Sequence, residues 1–464
     1  MRRRQLAALT ALVAIVDAAA VSAAPASAQG VPKIPFEKYT LANGLEVILH
    51  QDRSVPLVAV EVWYKVGSGD EQKGRTGFAH LFEHVMFMGS ENVPVGAFDQ
   101  WLEAAGGNNN GSTNSDRTNY FELVPSNALP LALWLEADRM GRLLPTLEQA
   151  KLDLQRDVVK NERRQSYDNR PYGRANETIV AALYPPGHPY SWPTIGSMAD
   201  LTAASLEDVK TFFRTYYTPN NASLGIAGDF DRDSAKVWVQ RYFGGIPRGP
   251  ELPPRPAPPR VVLPRDTALV LEDRVQLPRV YYTWPTVRLF HPDDAPLDVL
   301  AYVLAGDKNS RLYKRLVYEA QVAQDVSAWQ SSPRLDGFFR VEVTPRPGQD
   351  PAKVMRTVDE EIARLIRDGV EARELARAQN TFRARFLDDL ASVLGKASQL
   401  SSYNYFAGTP DFVQEDAARY DRVTAADVQR VARTYVGASK VILTVVPEGK
   451  TALMVKPDTT RVKP

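Results

Sequence analysis

Two histidines and a glutamate stand at spacings that could build a metal site. His80 and His84 are four residues apart, and Glu83 directly precedes the second histidine. In a helix, positions i, i+3 and i+4 lie on one face, so the three side chains would converge. Neutral imidazoles are suitable zinc ligands, and a nearby carboxylate that does not bind the metal suits a general base. The alternative is an amphipathic core helix with two hydrogen-bonded histidines.

A catalytic zinc needs a third protein ligand and one position left for water. The chain has five histidines and no cysteine, and the three histidines outside this motif each stand alone. We therefore expect a carboxylate as the third ligand. A long charged helix is predicted over residues 147–165, and three of its carboxylates are candidates by residue type: Glu148, Asp157 and Glu162.

Residues 1–28 have the layout of a secretory signal peptide. Three arginines precede an apolar run from Leu6 to Val16, and small residues follow up to Ala28. This pattern predicts cleavage after Ala28 and a periplasmic or secreted protein. The apolar run is too short to span a bilayer, and no later segment is apolar enough to do so.

Charge and composition exclude several classes of function. The formal net charge is +1, and loss of residues 1–28 removes three arginines and one aspartate, which leaves −1. Nothing in this balance indicates a nucleic acid or an anionic membrane as partner. Without cysteine the exported fold has no disulfides, and a metal must be held by histidine and carboxylate.

The length and one Pro-rich stretch divide the chain. About 435 residues remain after the signal peptide, which is too many for one core. Residues 250–259 contain six prolines and read as a stiff linker. We expect an N-terminal zinc-binding domain over residues 29–248, a linker over 249–265 and a C-terminal domain over 266–464.

Local patterns predict the elements around the motif. Asn43-Gly44 between two apolar runs predicts a hairpin, and the alternating valines from Val58 to Val66 predict a strand. The motif helix follows, then a short helix over residues 97–105 and a strand over 119–124. Helix over 208–217 and strand over 222–227 complete the first half.

The second half repeats part of the first. Asp208-Val209 and Arg214-Thr215-Tyr216 recur as Asp427-Val428 and Arg433-Thr434-Tyr435, at a constant offset of 219. A repeat at fixed offset indicates a duplicated structural unit. In the second copy the motif positions would fall near three apolar residues, so that copy would lack the metal ligands: Leu297, Leu300 and Ala301.

His80-Leu81-Phe82-Glu83-His84, followed by Glu162 within Arg156 to Glu162, resembles the pitrilysin, insulin-degrading enzyme and mitochondrial processing peptidase family of zinc peptidases. The resemblance implies that His80, His84 and Glu162 bind one Zn²⁺ and that Glu83 is the base. Gly106 to Thr113 resembles a G-G-x-x-N segment of that family, which implies that Asn110 lies beside an edge strand that pairs with substrate. Without the family, Asn110 could equally be a plain turn residue.

Two positions depart from the family pattern. The family often has a second glutamate seven residues before the ligand glutamate; here it is Gln155, which can still hydrogen-bond behind the ligands but carries no charge. After Ser310-Arg311-Leu312-Tyr313, the family has an Arg and a Tyr that contact the substrate carbonyl. Those positions are Val317 and Gln324, which cannot donate in the same way.

We therefore expect an α+β protein of two homologous domains, each a mostly antiparallel sheet with helices on one face. The expected function is an exported zinc endopeptidase that hydrolyses unfolded peptides. The resemblance implies a chamber formed with a second homologous chain. The missing donors favour a heterodimer with a chain that lacks the zinc motif, and a homodimer is the alternative. A rival interpretation is a non-catalytic or weakly active chamber subunit, but such subunits typically lose the histidines retained here.

Overall fold

The computed structural model of the protein describes residues 30–255 and 257–457. The predicted signal peptide and its cleavage point after Ala28 lie outside the described residues. Within the described ranges, no helix combines the length and apolar character needed to cross a bilayer. The chain folds into two β-sheets, and helices pack against both.

The first half of the chain builds a six-stranded sheet. Its strands are β1 (Glu37–Thr40), β2 (Glu46–Gln51), β3 (Leu57–Tyr64), β4 (Asn108–Thr113), β5 (Thr118–Pro125) and β6 (Ala222–Gly228). The strand order is β1-β2-β6-β3-β5-β4. The β2/β6 pair is parallel and the other pairs in this sheet are antiparallel. β6, the last of these strands in sequence, lies in the middle of the sheet between β2 and β3. The predicted hairpin is confirmed, because β1 and β2 pair antiparallel around Asn43-Gly44.

The helices of the first half connect these strands. They are α1 (Phe78–Val85), α2 (Ala97–Ala104), α3 (Leu129–Arg142), α4 (Gln149–Arg163), α5 (Ala175–Leu183), α6 (Met198–Ala203), α7 (Leu206–Tyr216) and α8 (Arg232–Phe243). Helix α1 packs its apolar positions into one continuous core with β3, β5 and α7, through residues such as Leu81, Val62, Tyr120 and Phe213. The motif helix is thus anchored to the centre of the first half.

The second half builds a five-stranded sheet with six helices. The strands are β7 (Thr267–Asp273), β8 (Arg279–Pro285), β9 (Ala323–Ser331), β10 (Phe338–Pro345) and β11 (Val441–Pro447). The helices are α9 (Asp294–Ala305), α10 (Pro351–Asp368), α11 (Ala372–Asp389), α12 (Val393–Phe406), α13 (Val413–Asp421) and α14 (Ala425–Val431). The strand order is β7-β11-β8-β10-β9.

The two sheets share one topology, which confirms the predicted duplication. β2-β6-β3-β5-β4 and β7-β11-β8-β10-β9 have the same sequence of parallel and antiparallel pairs, and β1 is the addition in the first half. Helix α9 follows β8 as α1 follows β3. On it, Leu297 and Leu300 are fully buried, so apolar packing replaces the metal ligands in the second copy. The fold is α+β with two homologous units.

Each sheet is also covered by a helix from the other half. Ala397 of α12 packs against Ala59 of β3 and Ala227 of β6, and Ile179 of α5 packs against Tyr281 of β8 and Leu443 of β11. These contacts lie on the faces opposite to each sheet's own helices. Because α12 covers the second face of the first sheet, β3 and β6 are buried on both faces. The alternating valines of β3 predict instead a strand that is buried on one face only. The domain boundaries stay predictions; between α8 and β7 the described residues form no helix or strand.

Candidate metal centre

Helix α1 is preceded by a glycine that is held by a buried carboxylate. Gly77 has φ of +89°, a left-handed conformation that favours glycine, and a Cβ there would lie 2.7 Å from the carbonyl oxygen of Ile195. The Glu71 carboxylate accepts the backbone N–H groups of Gly77 at 3.0 Å and Ala79 at 2.8 Å. Two otherwise unpaired donors of the first turn are thus satisfied. Glu71 therefore fixes the start of α1, two residues before His80.

The structure brings His80, His84 and Glu162 together. The Nε2 atoms of His80 and His84 lie 3.7 Å and 3.3 Å from Oε2 of Glu162, and the three ligand atoms all lie within 4.8 Å of one another. In a tetrahedral zinc site with bonds of about 2.0–2.1 Å, ligand atoms are about 3.4 Å apart. The observed spacing therefore fits a single zinc ion. Among the described residues, this is the one group of three such side chains with that geometry.

The protonation states also fit a metal site. Burial, followed by the neighbouring His84, lowers the pKa of His80 to about 4, so the imidazole is neutral as a ligand must be. Contact with His84 lowers the pKa of Glu162, which keeps that carboxylate ionised. Of the three candidate carboxylates, only Glu162 joins the histidines. Glu148, directly before α4, and Asp157 on α4 are exposed to solvent.

Glu83 lies on the same helix between the histidines and is held by strand β4. Its Oε2 accepts a hydrogen bond from the Thr113 hydroxyl at 2.6 Å. Burial raises the pKa of Glu83, and the hydrogen bond from Thr113 opposes that rise. Nothing in the local sequence around residue 83 points to Thr113, because the contact depends on where β4 pairs with β5.

Asn110 lies within the edge strand rather than beside it. Strand β4 pairs only with β5, which leaves its other edge unpaired in the part of the chain that the structure describes. The Asn110 side chain is exposed, and its Oδ1 accepts the backbone N–H of Gly111 at 2.8 Å. The resemblance implies an edge strand here, whereas the local residue pattern does not, because Asn108-Asn109-Asn110-Gly111 is poor in residues that favour strands.

Gln155 does not contact the ligand residues. Its Nε2 donates to Sδ of Met88 at 2.6 Å, and among the described residues no hydrogen bond joins it to His80, His84 or Glu162. Seven residues correspond to about 10 Å along a helix, so Gln155 shares the face of Glu162 but lies two turns away. The buried Nδ1 of His80 also has no hydrogen-bond partner among the described groups.

In the second half, the two positions where the family has donors to the substrate carbonyl carry neither an arginine nor a tyrosine. Val317 is in a short helical turn over Tyr313–Glu319 and packs partly against the second core. Gln324 is near the start of β9 and is exposed. Arg311, in the segment that resembles the family, is paired with Glu374 at 2.6 Å. These positions therefore offer neither an arginine nor a tyrosine.

Two family models match the chain in succession. The first, described as Insulinase (Peptidase family M16), matches residues 46–188. The second, described as Peptidase M16 inactive domain, matches residues 203–382. The chain belongs to the M16 peptidase family. The second model begins in the first half, before β6, so the division between the models does not coincide with the division between the sheets.

Relatives of this M16 chain include proteins named as zinc proteases. Zinc protease PqqE of Helicobacter pylori is 29% identical over 413 residues, which are 86% of this chain and 90% of the relative. The crystal structure of a protease from Helicobacter pylori superposes with a TM-score of 0.82 at 26% identity, over 90% of this chain and 100% of that one. The first half of the periplasmic protease PqqL from Escherichia coli shares the fold, with a TM-score of 0.74 at 17% identity over 92% of this chain and 95% of that one.

Proposed function

We propose that this M16 chain is a zinc-dependent endopeptidase that hydrolyses unfolded peptides and holds one Zn²⁺. The observation that carries the proposal is the convergence of His80, His84 and Glu162 within 4.8 Å, with Glu83 on the same helix. Relatives of similar length that are named zinc proteases support it. The retained motif argues against the rival function of a non-catalytic chamber subunit.

His80, His84 and Glu162 would hold the metal, and Glu83 would act as the base. When bound, zinc supplies Lewis acidity for the scissile carbonyl and lowers the pKa of water. Glu83 takes a proton from the attacking water and passes it to the leaving amine. The unpaired edge of β4, which includes Asn110, offers backbone groups with which an extended peptide can pair.

We further infer that the active form contains a second homologous chain. The charge that develops on the carbonyl oxygen needs donors opposite the metal, and Val317 and Gln324 supply neither the arginine nor the tyrosine of the family pattern. A heterodimer with a chain that carries the Arg and Tyr but lacks the zinc motif would complete the site. A homodimer that relies on zinc alone is the alternative. Export to the periplasm or the medium follows from the predicted signal peptide.

A peptide-hydrolysis assay with zinc quantification tests this function. The mature chain is incubated with a library of unstructured peptides, alone and with a homologous chain, and zinc per chain is measured in parallel. The proposal expects one zinc per chain, cleavage of unstructured peptides and no cleavage of a stable folded protein. A chain that binds zinc but cleaves no peptide in either assembly would support the non-catalytic alternative.

A further inference from the structure

Strand β4 presents two successive inward positions to the Glu83 side chain. Gly111 and Thr113 pair with Tyr120 and Thr118 of β5, and side chains two residues apart in a strand share one face. A Cβ at Gly111 would lie 3.3 Å from Cγ of Glu83, so the absence of a side chain leaves space for the Glu83 methylenes. Two residues further on, the Thr113 hydroxyl meets the carboxylate at 2.6 Å.

The donors around Thr113 can be assigned by counting hydrogens. A hydroxyl has one hydrogen to donate, and an ionised carboxylate only accepts. The 2.6 Å contact with the Glu83 carboxylate therefore uses the hydrogen of Thr113. Thr118 donates its own hydrogen to the carbonyl oxygen of Val66 at 3.0 Å, so no hydrogen is left for the 3.3 Å contact between the two hydroxyls. The Thr113 hydrogen is therefore directed to Oε2 of Glu83.

Thr113 holds only one of the two carboxylate oxygens. Among the described residues, no protein group donates a hydrogen bond to Oε1 of Glu83. A base that accepts a proton from water needs one oxygen with lone pairs available and a fixed orientation. A misplacement of about 1 Å in such a group can cost about 10²-fold in rate.

We propose that Thr113 is a positioning residue for the general base, which fixes Oε2 of Glu83 so that Oε1 is presented to the water. The proposal rests on the function proposed above. In this role the inner face of β4 orients the base, whereas the unpaired edge of the same strand stays available for pairing with substrate.

Three variants of the mature chain test this role. Thr113→Val keeps the shape and β-branching but removes the hydroxyl, Thr113→Ser keeps the hydroxyl, and Thr202→Val makes the same change at an exposed position of α6. Each is assayed in the assembly that gives the wild-type chain its full activity. The measurements are kcat and KM for one unstructured peptide, zinc per chain and the melting temperature.

We expect Thr113→Val to lower kcat by about 10- to 10²-fold, with KM within about twofold and zinc content unchanged. Thr113→Ser should retain kcat within about threefold, and Thr202→Val should match the wild type. A kcat for Thr113→Val within twofold of the wild type would overturn the proposal, as would an equal loss of kcat in Thr113→Ser. If Thr113→Val does not fold, Thr113→Ala takes its place with the same criteria.

A crystal structure of metal-free Thr113→Val provides a readout that does not depend on activity. The proposal expects the Glu83 carboxylate to leave its wild-type position beside β4. A carboxylate that stays in place without the hydroxyl would contradict the role of Thr113. If the wild-type chain cleaves no peptide, the proposed function fails, whereas this structural result still decides whether Thr113 positions Glu83.

Discussion

Nε2 of His84 lies 3.3 Å from Oε2 of Glu162, although 78 positions separate the two residues in the chain. Helix α4 brings the glutamate to the histidine face of α1, and the buried Leu152 and Val159 on α4 share the core of α1. The metal centre thus depends on the packing of two helices that are not neighbours in sequence.

Glu162→Ala should lower zinc occupancy about as much as His80→Ala does. Two imidazoles alone leave the tetrahedral site short of a ligand, so the metal should dissociate on dialysis. Asp157→Ala, on the same helix but exposed, is the matched control and should keep its zinc. Metal analysis after dialysis checks this. Full, tightly held zinc in Glu162→Ala would require another third ligand.

Glu71 should make the stability of the protein depend on pH. Burial raises the pKa of Glu71 to about 8, whereas an unfolded glutamate titrates near 4.3. The folded state then binds more protons between these values. The contribution of Glu71 to stability is therefore complete below about pH 4.3 and is lost as the pH rises through about 8.

The difference in unfolding free energy between the wild type and Glu71→Gln isolates this effect. Urea titrations at pH 5, 7 and 9 should show the wild type losing stability relative to the variant, by at most about 1.4 kcal/mol per pH unit. A constant difference across this range would mean that the two backbone N–H donors keep Glu71 ionised throughout.

The exchange of helices between the halves should contribute measurably to stability. Ile179 of α5 is fully buried against β8 and β11 of the second sheet. Ile179→Ala should therefore destabilise the protein by about 2–5 kcal/mol. Val237→Ala, at a position that is 63% exposed, should change stability by less than about 0.5 kcal/mol. Equal melting temperatures for the two variants would show that the contact of α5 with the second sheet is not stabilising.

The isolated chain should have little peptidase activity. One donor to a developing oxyanion is commonly worth about 10²–10³ in kcat, and Val317 and Gln324 stand where the family pattern has an arginine and a tyrosine. Addition of a homologous chain that carries the Arg and Tyr should raise kcat by about that factor or more. Titration of the partner at fixed peptide concentration checks this. Full activity of the purified chain, unchanged by any partner, would make the missing pair dispensable.

The local part of the site could be predicted from sequence, and the long-range part could not. Helix α1 and the shared face of His80, Glu83 and His84 follow from their spacing, and resemblance selected Glu162 from three carboxylates. The resemblance implies an edge strand near Asn110, but the asparagine-rich segment has low strand propensity, so neither the bounds of β4 nor the contact of Thr113 with Glu83 could be predicted. The contact of Ile179 with the second sheet depends on tertiary packing, which periodicity does not report.

The position of Gln155 illustrates the same limit. Its spacing of seven residues correctly predicts the same helix face as Glu162. The spacing does not determine whether a side chain two turns away contacts the metal ligands. In the structure, the Gln155 amide donates to the sulfur of Met88 instead. Sharing a face is a property of the helix alone, whereas contact also depends on the neighbouring helix.

The central claim is that Glu83 is the base of a zinc peptidase, and Glu83→Gln tests it most directly. Gln fills the same space but cannot accept the proton, so the loss should be at least about 10²–10⁴-fold in kcat. The wild type and Glu83→Gln are loaded with zinc, combined with the same partner chain and assayed on one unstructured peptide, with zinc per chain measured in both. We predict one zinc per chain in both proteins and cleavage only by the wild type. Cleavage at the wild-type rate by zinc-loaded Glu83→Gln would contradict the account.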